Sequence, residues 1–473
     1  MSVSATVLYV SYDGMTDPLG ESQVIPYVLG LSRRGYAFHL LSFEKPARFR
    51  SEGARVAALL EGGGVTWHPM RFTARPRLVA KALDAWRLRR AVVRLHDAHG
   101  FDLVHARSYP AAGAALALRR RRRVPYLFDM RGFWVDERVE GGIWDARRLH
   151  YRWLYRHFKR REQAYLAGAA AVVSLTEAAV TVLRTWPGVR DGLPIEVIPC
   201  CVDTELFAPA TGGAAGAAGG RGDEGDAGDS GAGDSGEGDS GDSGDSGEGD
   251  SGDSGEGDSG DSGDSDSGDS GDPGARARRD LDIPAGATVL AYLGSIGTWY
   301  LLDDMLRFFR ALLDVRPDAR FLFVTRHDPA DLRQAARRHD VPPERVVVRS
   351  AVRSEVPRLL RAADLSVFFI RPTFSKTASC PTKLGELMAL GVPVVCNAGV
   401  GDVDAIVRDN RAGRVLDDLG DGALREAAAA APALIALPRE PIVEAADRLF
   451  SLDRGVERYA ALYERILAGD GPP

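Results

Sequence analysis

CPTKLGELMALGVPVV, residues 380–395, is the stretch on which the fold turns. Pro381 suits the first position of a helix, where its missing N–H costs nothing. Gly391 followed by Pro393 closes that helix, and Val392–Cys396 then reads as a short buried strand. Lys383 and Glu386 are three residues apart and share one helix face. Leu384, Leu387 and Met388 lie on the other side and are expected to pack onto a sheet. A helix N-terminus offers free N–H groups and partial positive charge, which suits phosphate. Lys383 adds a point charge, and Glu386 can accept from two vicinal hydroxyls, so one face meets the needs of a nucleotide diphosphate and its ribose. Gly385 costs about 1 kcal/mol against Ala inside a helix, which points to a close approach there. The plainer reading of the same residues is a surface Lys–Glu pair on an ordinary helix.

Outward from this unit, short apolar runs alternate with helical patterns. The predicted strands before it are Thr6–Ser11, Phe38–Phe43, Asp102–Ala106, Tyr126–Asp129, Ala171–Ser174 and Ile195–Pro199. Nearer to it they are Thr288–Gly294, Arg320–Thr325, Val346–Val348 and Leu365–Ile370. The predicted helices include one ending at about Arg34, then Arg77–Ala98, Pro110–Arg121, Glu137–Ala167 and Thr176–Trp186. Others are Leu301–Val315, Ala330–His339, Val356–Ala363 and a tail ending near Leu467. Buried strands separated by helices argue for parallel, doubly wound sheets. The pattern runs twice, so two Rossmann-like α/β domains are expected to face a cleft, with ligands outside the carboxyl ends of the strands.

Between the two runs lies a different material. Residues 211–275 hold nineteen acids and one base, a charge of −18, which leaves +12 on the other 408 residues of this 473-residue chain. Gly-Asp-Ser triplets recur without the strict period and proline of collagen. Such a segment cannot bury apolar surface and is expected to be a disordered insert. The expected division is therefore 1–207, an insert at 208–277, 278–448, and a tail at 449–473 that packs back on the N-terminal domain.

Cys200, Cys201, Cys380 and Cys396 are the four cysteines, and no CxxC or Cys/His spacing accompanies them. This argues against a disulfide scaffold and for a reduced, cytoplasmic setting. The N-terminus lacks the pattern of a signal peptide. No apolar run reaches the roughly 18 residues of a membrane span. Only five bases are lysine, and two of these, Lys376 and Lys383, stand seven apart in SKTASCPTK.

Here the chain resembles a family. ELMALGVPVV is similar to the donor-site helix of the GT-B glycosyltransferases, specifically the family-4 retaining group, with Glu386 at the position that holds ribose. The group's usual first glutamate would fall at Ala378, and the resemblance implies Lys376, Ser379 and Lys383 as donor-binding residues that compensate for it. IPCCVDTELFAP (198–209) resembles the family's interdomain segment, with Cys200-Cys201 in place of Asn-Gly. YLGSIGTWY (292–300) stands where the family binds diphosphate, without its two bases; Gly294, Ser295, Gly297 and Thr298 offer backbone N–H groups, and Arg326 offers charge. LGESQVIPYVLGLSRRGY (19–36) resembles the acceptor-side loop and helix, which makes Gly20 and Glu21 acceptor-side candidates. FDMRG (128–132) replaces the usual His–Asp, with Arg131 nearest the His position and Asp129 beside it. GVGDVDAIVRDNRAGRVL (399–416) resembles a further family loop and helix.

The resemblance implies a retaining transferase that moves a sugar from a nucleotide-diphosphate sugar to an acceptor hydroxyl of a glycan or lipid-linked molecule. It implies Asp129, Arg131 and Glu386 as catalytic candidates, with no metal and no cofactor. A nucleotide-sugar epimerase of the same fold, or a sugar-nucleotide-binding protein without turnover, are the alternatives. Asp402-Val403-Asp404 spells a metal-diphosphate signature of a different fold, and Asp402 is more simply a helix N-cap. Arg119–Arg123 with Arg152, Arg156, Lys159, Arg160 and Arg161 are either a solvated helix face or a face for anionic lipid at the inner membrane surface. Nucleic acid is not expected, since no binding motif accompanies the charge. His105 ends a buried strand and reads as structural.

Overall fold

A computed structural model describes residues 5–73, 77–209 and 272–469 of the protein. Most of the expected acidic insert, residues 210–271, lies outside the described residues. The N-terminal strands are β1 (Ala5–Ser11), β2 (Tyr36–Glu44), β3 (Val65–Arg71), β4 (Leu103–Arg107), β5 (Tyr126–Asp129), β6 (Ala171–Ser174) and β7 (Ile195–Val197). They form one parallel sheet in the order β3-β2-β1-β4-β5-β6-β7. The second sheet comprises β8 (Val289–Leu293), β9 (Arg320–Val324), β10 (Val346–Arg349), β11 (Leu365–Phe368), β12 (Val394–Asn397) and β13 (Gly413–Leu416). Its order is β10-β9-β8-β11-β12-β13. The expected architecture of two doubly wound α/β domains is the one observed.

Helices cover both faces. In the first half they are α1 (Pro18–Gln23), α2 (Ile25–Arg33), α3 (Pro46–Gly62), α4 (Arg77–His99), α5 (Ser108–Arg122), α6 (Trp134–Glu140), α7 (Leu149–Gly168) and α8 (Glu177–Leu183). In the second they are α9 (Pro273–Asp280), α10 (Leu302–Val315), α11 (Pro329–Arg338), α12 (Val356–Leu360), α13 (Thr382–Ala389), α14 (Val403–Asp409), α15 (Asp421–Ile435), α16 (Glu440–Phe450) and α17 (Leu452–Leu467). Along β1, Val7 and Tyr9 enter one apolar core and Leu8 and Val10 the other, so successive side chains serve opposite faces. Both faces being covered explains why these strands read as continuous apolar runs.

The chain crosses between the domains at two adjacent places. Val202 donates to Phe450 and accepts from Leu452, at 2.8 and 2.9 Å. Beyond that crossing, Val456, Tyr459 and Tyr463 of α17 join the core that holds Tyr27, Val28 and Leu31 of α2, so the tail lies on the N-terminal domain.

Four features depart from the sequence expectation. Strand β3 was not anticipated: Pro69 lies inside it, and proline reads against a strand. It is tolerated because β3 is the edge of the sheet. Strand β13 likewise ends a segment expected to be loop and helix. The expected helix at 137–167 is two, α6 and α7, broken after Glu140. Helix α9 starts at Pro273, inside the span expected to be insert, with Asp272 accepting from Gly274 N at 3.1 Å. Among the described residues no helix is long and apolar enough to cross a membrane.

Candidate functional site

The carboxyl ends of both sheets face each other, and each sheet reverses its winding there, between β1 and β4 and between β8 and β11. On the C-terminal side the site rests on α13. Pro381 is its cap residue rather than its first helical one. Leu384, Leu387 and Met388 are fully buried against the sheet. The close approach expected at Gly385 is packing and not ligand: a Cβ there would meet Phe450 of α16 at 3.0 Å and Val202 at 3.3 Å.

Lys383 is the most telling group. It is 6% exposed, and among the described residues its Nζ has no hydrogen-bond partner. It lies 3.7 Å from the ring centre of Tyr300 and 4.1 Å from that of Tyr292. Burial pushes its pKa well down, and the nearby Glu386 only partly opposes this. The two ring faces favour the charged form but satisfy none of its three N–H donors. Glu386, the nearby anion, makes no hydrogen bond to this ammonium, whose N–H donors stay open among the described residues. Gly294 leads toward it from the end of β8 with φ +111°, and a Cβ at that position would sit 3.3 Å from Nζ.

Glu386 is buried and ion-paired with Arg353, whose guanidinium also lies 4.8 Å over Phe207. Ser295 accepts from Tyr292 Oη at 2.7 Å, which fixes the loop after β8, while Gly297 and Thr298 of that loop are exposed. Arg326 is exposed beyond the end of β9. Lys376 is already engaged across the cleft: its Nζ donates to Glu137 at 2.6 Å and lies 3.8 Å over Trp299. Ser379 ends the short turn that carries Lys376. The structure therefore sets Gly294 against Lys383, close to Glu386, and commits Lys376 to Glu137 and Trp299.

The N-terminal wall is built on Asp129, at the end of β5. It is fully buried, and its Oδ2 meets Tyr459 Oη at 3.2 Å, His105 Nε2 at 3.4 Å and Arg107 at 3.5 Å. Arg131 lies 3.6 Å from Oδ1. Burial alone would raise this carboxyl, but Arg131, His105 and Arg107 hold it down to about 2. His105 donates to or accepts from Tyr463 Oη at 2.7 Å, and burial lowers its pKa, so it is a structural residue as expected. Arg131 adopts φ +50°, a conformation that costs a non-glycine residue energy. Its Nη2 reaches Gln23 Oε1 and Cys200 Sγ, each at 3.4 Å.

Gly20 and Glu21 lie at the other rim. Gly20 packs so tightly on the carbonyl of Gly14 that no Cβ fits. Glu21 is ion-paired with Arg55 of α3.

Cys200 joins the two walls, a role the sequence reading did not assign. Cys380, beside the start of α13, is its neighbour there; together with Arg131 and Thr382 that thiol pulls the Cys200 thiol down to about 6 despite burial. Its place in the interdomain segment was the available signal. Arg353 and Tyr459 were missed altogether, since each reaches the site from a distant part of the chain, and Tyr300 lay in the quoted 292–300 motif without a role of its own.

The walls are tied together elsewhere. Glu140 accepts from Phe374 N and Ser375 N at 3.1 and 2.9 Å, and Thr176 Oγ1 donates to Thr377 O at 2.7 Å. Asp402, expected to cap its own helix, makes no side-chain cap there. Its carboxylate accepts from Glu177 N and Ala178 N, at 2.7 and 3.0 Å, and so caps α8 of the opposite domain. The orphan N–H groups of a facing helix outcompete those of α14 for this carboxylate.

Comparison with known proteins follows these two walls. Residues 24–201 match the family described as Glycosyl transferase 4-like domain, and residues 287–435 match Glycosyl transferases group 1. No curated protein sequence matches. Among solved structures, a sucrose-phosphate synthase from Thermosynechococcus elongatus is similar at 17% identity, with 98% of this chain and 100% of that chain covered and a TM-score of 0.64. HepE from Anabaena, in complex with UDP and glucose, is similar at 14% identity, with 97% and 99% covered and a TM-score of 0.60. WaaG, a glycosyltransferase involved in lipopolysaccharide biosynthesis, is similar at 13% identity, with 96% and 99% covered and a TM-score of 0.59. At such identities the structural likenesses speak for the fold, and the two family matches speak for the chemistry. Spanning both walls of the cleft, they show that this chain belongs to the group 1 glycosyltransferases.

Proposed function

We propose that the protein transfers a sugar from a nucleotide-diphosphate sugar to an acceptor hydroxyl, with retention at the anomeric carbon. The observation that carries the donor class is the Nζ of Lys383, buried and without a hydrogen-bond partner among the described residues, three residues before Glu386 on one helix face. The diphosphate sits against Lys383, the N–H groups opening α13 and those of Ser295–Thr298. Glu386 turns from Arg353 toward the ribose hydroxyls. Helix dipole and lysine stabilise the departing diphosphate, which removes the need for a metal ion. In the same-face displacement that follows, the leaving phosphate takes the acceptor proton. Arg131 stands opposite, and Asp129, ionised and enclosed, positions it. The UDP bound by HepE makes uridine diphosphate sugars the first donors to try.

The acceptor is a glycan or lipid-linked molecule presented at an anionic membrane surface. Helix α7 supports this reading. Leu149 and Trp153 are 78% and 65% exposed, and Arg152, Arg156 and Arg160 are exposed at helical spacing beside them. Each such base contributes about 1 kcal/mol at an anionic surface. Lys159 does not belong to this face, because it pairs with Asp136 and Glu162 at 3.0 and 2.6 Å.

The test is a panel of UDP-, GDP- and ADP-sugars with and without acceptor, in EDTA, read by mass spectrometry. Glycosylated acceptor of unchanged anomeric configuration is expected. Donor epimerisation without acceptor would replace transfer with the epimerase reading. A strict need for a divalent ion would overturn the metal-free mechanism.

A further inference from the structure

Far from the cleft, three imidazoles converge. His39 lies in β2, His68 in β3, and His99 is the last residue of α4. In the β2–β3 register, Leu41 faces His68. Residues 39 and 41 point to the same side of the strand, so His39 and His68 share one face. Helix α4 delivers His99 to that face. The His39 Nδ1 to His68 Nε2 distance is 2.9 Å. One ring nitrogen from each of the three lies within 4.8 Å of the others. His39 and His68 are half-buried, and His99 is exposed. The cluster lies toward the amino ends of the strands, since His99 leads through Phe101 into β4, whereas the sugar-transfer site is at the carboxyl ends.

We propose that His39, His68 and His99 bind a transition-metal ion of the zinc class. Three imidazole nitrogens fit such an ion, and magnesium and calcium, which take oxygen ligands, do not fit. Tetrahedral bonds of about 2.0–2.1 Å hold ligand nitrogens roughly 3.3 Å apart. The His39–His68 pair, at 2.9 Å, is close to that value, and His99, within 4.8 Å of both, is exposed and needs only a side-chain adjustment. Solvent supplies the fourth ligand on the side of His99. His39 Nδ1 and His68 Nε2 now share a hydrogen bond, so one of them carries the proton; moving that proton to the other nitrogen of its ring leaves both facing nitrogens with lone pairs for the ion. The ion would fasten the edge strand β3, which Pro69 deprives of one hydrogen-bond donor, to β2 and to the end of α4. The sequence gives no hint of this site, because its ligands are 29 and 31 residues apart and follow no metal-binding spacing.

The experiment uses the full chain without an affinity tag, stripped with EDTA and titrated with zinc chloride and with cobalt chloride. One equivalent is expected to bind at micromolar or lower concentration and to raise the unfolding temperature, while magnesium does not compete. His99→Ala, at an exposed position, keeps the fold and weakens binding by about tenfold or more, and His68→Ala does the same. Cys200→Ser and Lys383→Met bind zinc like the parent. The proposal is overturned by absence of zinc binding at micromolar concentration. It is also overturned if His99→Ala and His68→Ala bind like the parent, or if binding is lost in Cys200→Ser, which would place the ion on thiols.

Discussion

Lys383→Met separates a binding lysine from a merely structural one, because its two effects have opposite signs. Methionine keeps the volume and the stem but removes the charge. Among the described residues Nζ is buried without a hydrogen-bond acceptor. An uncompensated buried ion costs several kcal/mol even after relaxation. The faces of Tyr292 and Tyr300 return about 0.5–2 kcal/mol each. The balance favours methionine by about 1–2 kcal/mol, and each kcal/mol raises the unfolding temperature of a domain of this size by roughly 2–4 °C. With ligand the sign reverses. A charge-assisted contact to phosphate contributes about 1.5–3 kcal/mol. At about 1.4 kcal/mol per tenfold, its loss weakens binding roughly 10- to 150-fold. Calorimetry with UDP, GDP, ADP and inorganic pyrophosphate, paired with thermal unfolding, measures both effects. Pyrophosphate shares only the diphosphate, so its binding falls in Lys383→Met and is untouched by Glu386→Gln, while the nucleotide responds to both. Parent-like pyrophosphate binding together with a lowered unfolding temperature would refute the reasoning and make Lys383 a packing residue.

The same lysine sets a pH dependence. Burial depresses its pKa in the free protein, and a bound anion raises it, so binding takes up a proton. Affinity for UDP therefore falls as pH rises from the depressed value toward the ordinary 10.5. Relative to Lys383→Met at each pH, which cancels ionisation of the ligand, the advantage of the parent should shrink toward alkaline pH; a constant ratio would show that Lys383 is charged throughout. Asp402→Ala removes the acceptor of Glu177 N and Ala178 N while Thr176 still caps α8 through Ala179 N, and should cost about 0.5–2 kcal/mol in thermal unfolding, with a smaller loss of UDP affinity than Glu386→Ala. Replacing residues 210–271 by six Gly/Ser residues should leave folding and UDP affinity unchanged. Both flanks lie against Arg361, whose guanidinium donates to Ala208 O at 3.1 Å and whose carbonyl lies 3.0 Å from a Cβ built on Gly274. Six residues span up to about 20 Å, and closure entropy varies slowly with length; loss of folded protein would show the segment to be structural. Trp153→Ala combined with Arg152→Ser, Arg156→Ser and Arg160→Ser should abolish flotation with anionic liposomes and leave donor binding intact, and retained flotation would remove α7 as the membrane face.

What the sequence by itself determined follows from local rules. Lys383 and Glu386 share a face because a helix repeats every 3.6 residues, and Gly391-Val392-Pro393 can neither continue that helix nor avoid starting a strand. The twice-repeated alternation of apolar runs and helices specified two doubly wound sheets, since strands covered on both sides leave a continuous apolar record. Strand β3 escaped because an edge strand is half-solvated and can accommodate Pro69, so it lacks that record. The remaining site depends on partners distant in the chain. Asp402 caps a helix 225 residues away, Lys376 meets Glu137 across the cleft, and Asp129 is held by Tyr459 from the last helix. No periodicity encodes such pairs, because a carboxylate accepts from whichever donor the packed domains bring within reach. Only the tertiary structure decided that Lys376 is already paired while Lys383, seven residues on, is buried without a partner. The physical reason is that the charge of a side chain is written in its residue type, whereas its desolvation and its partners are properties of the assembled cleft.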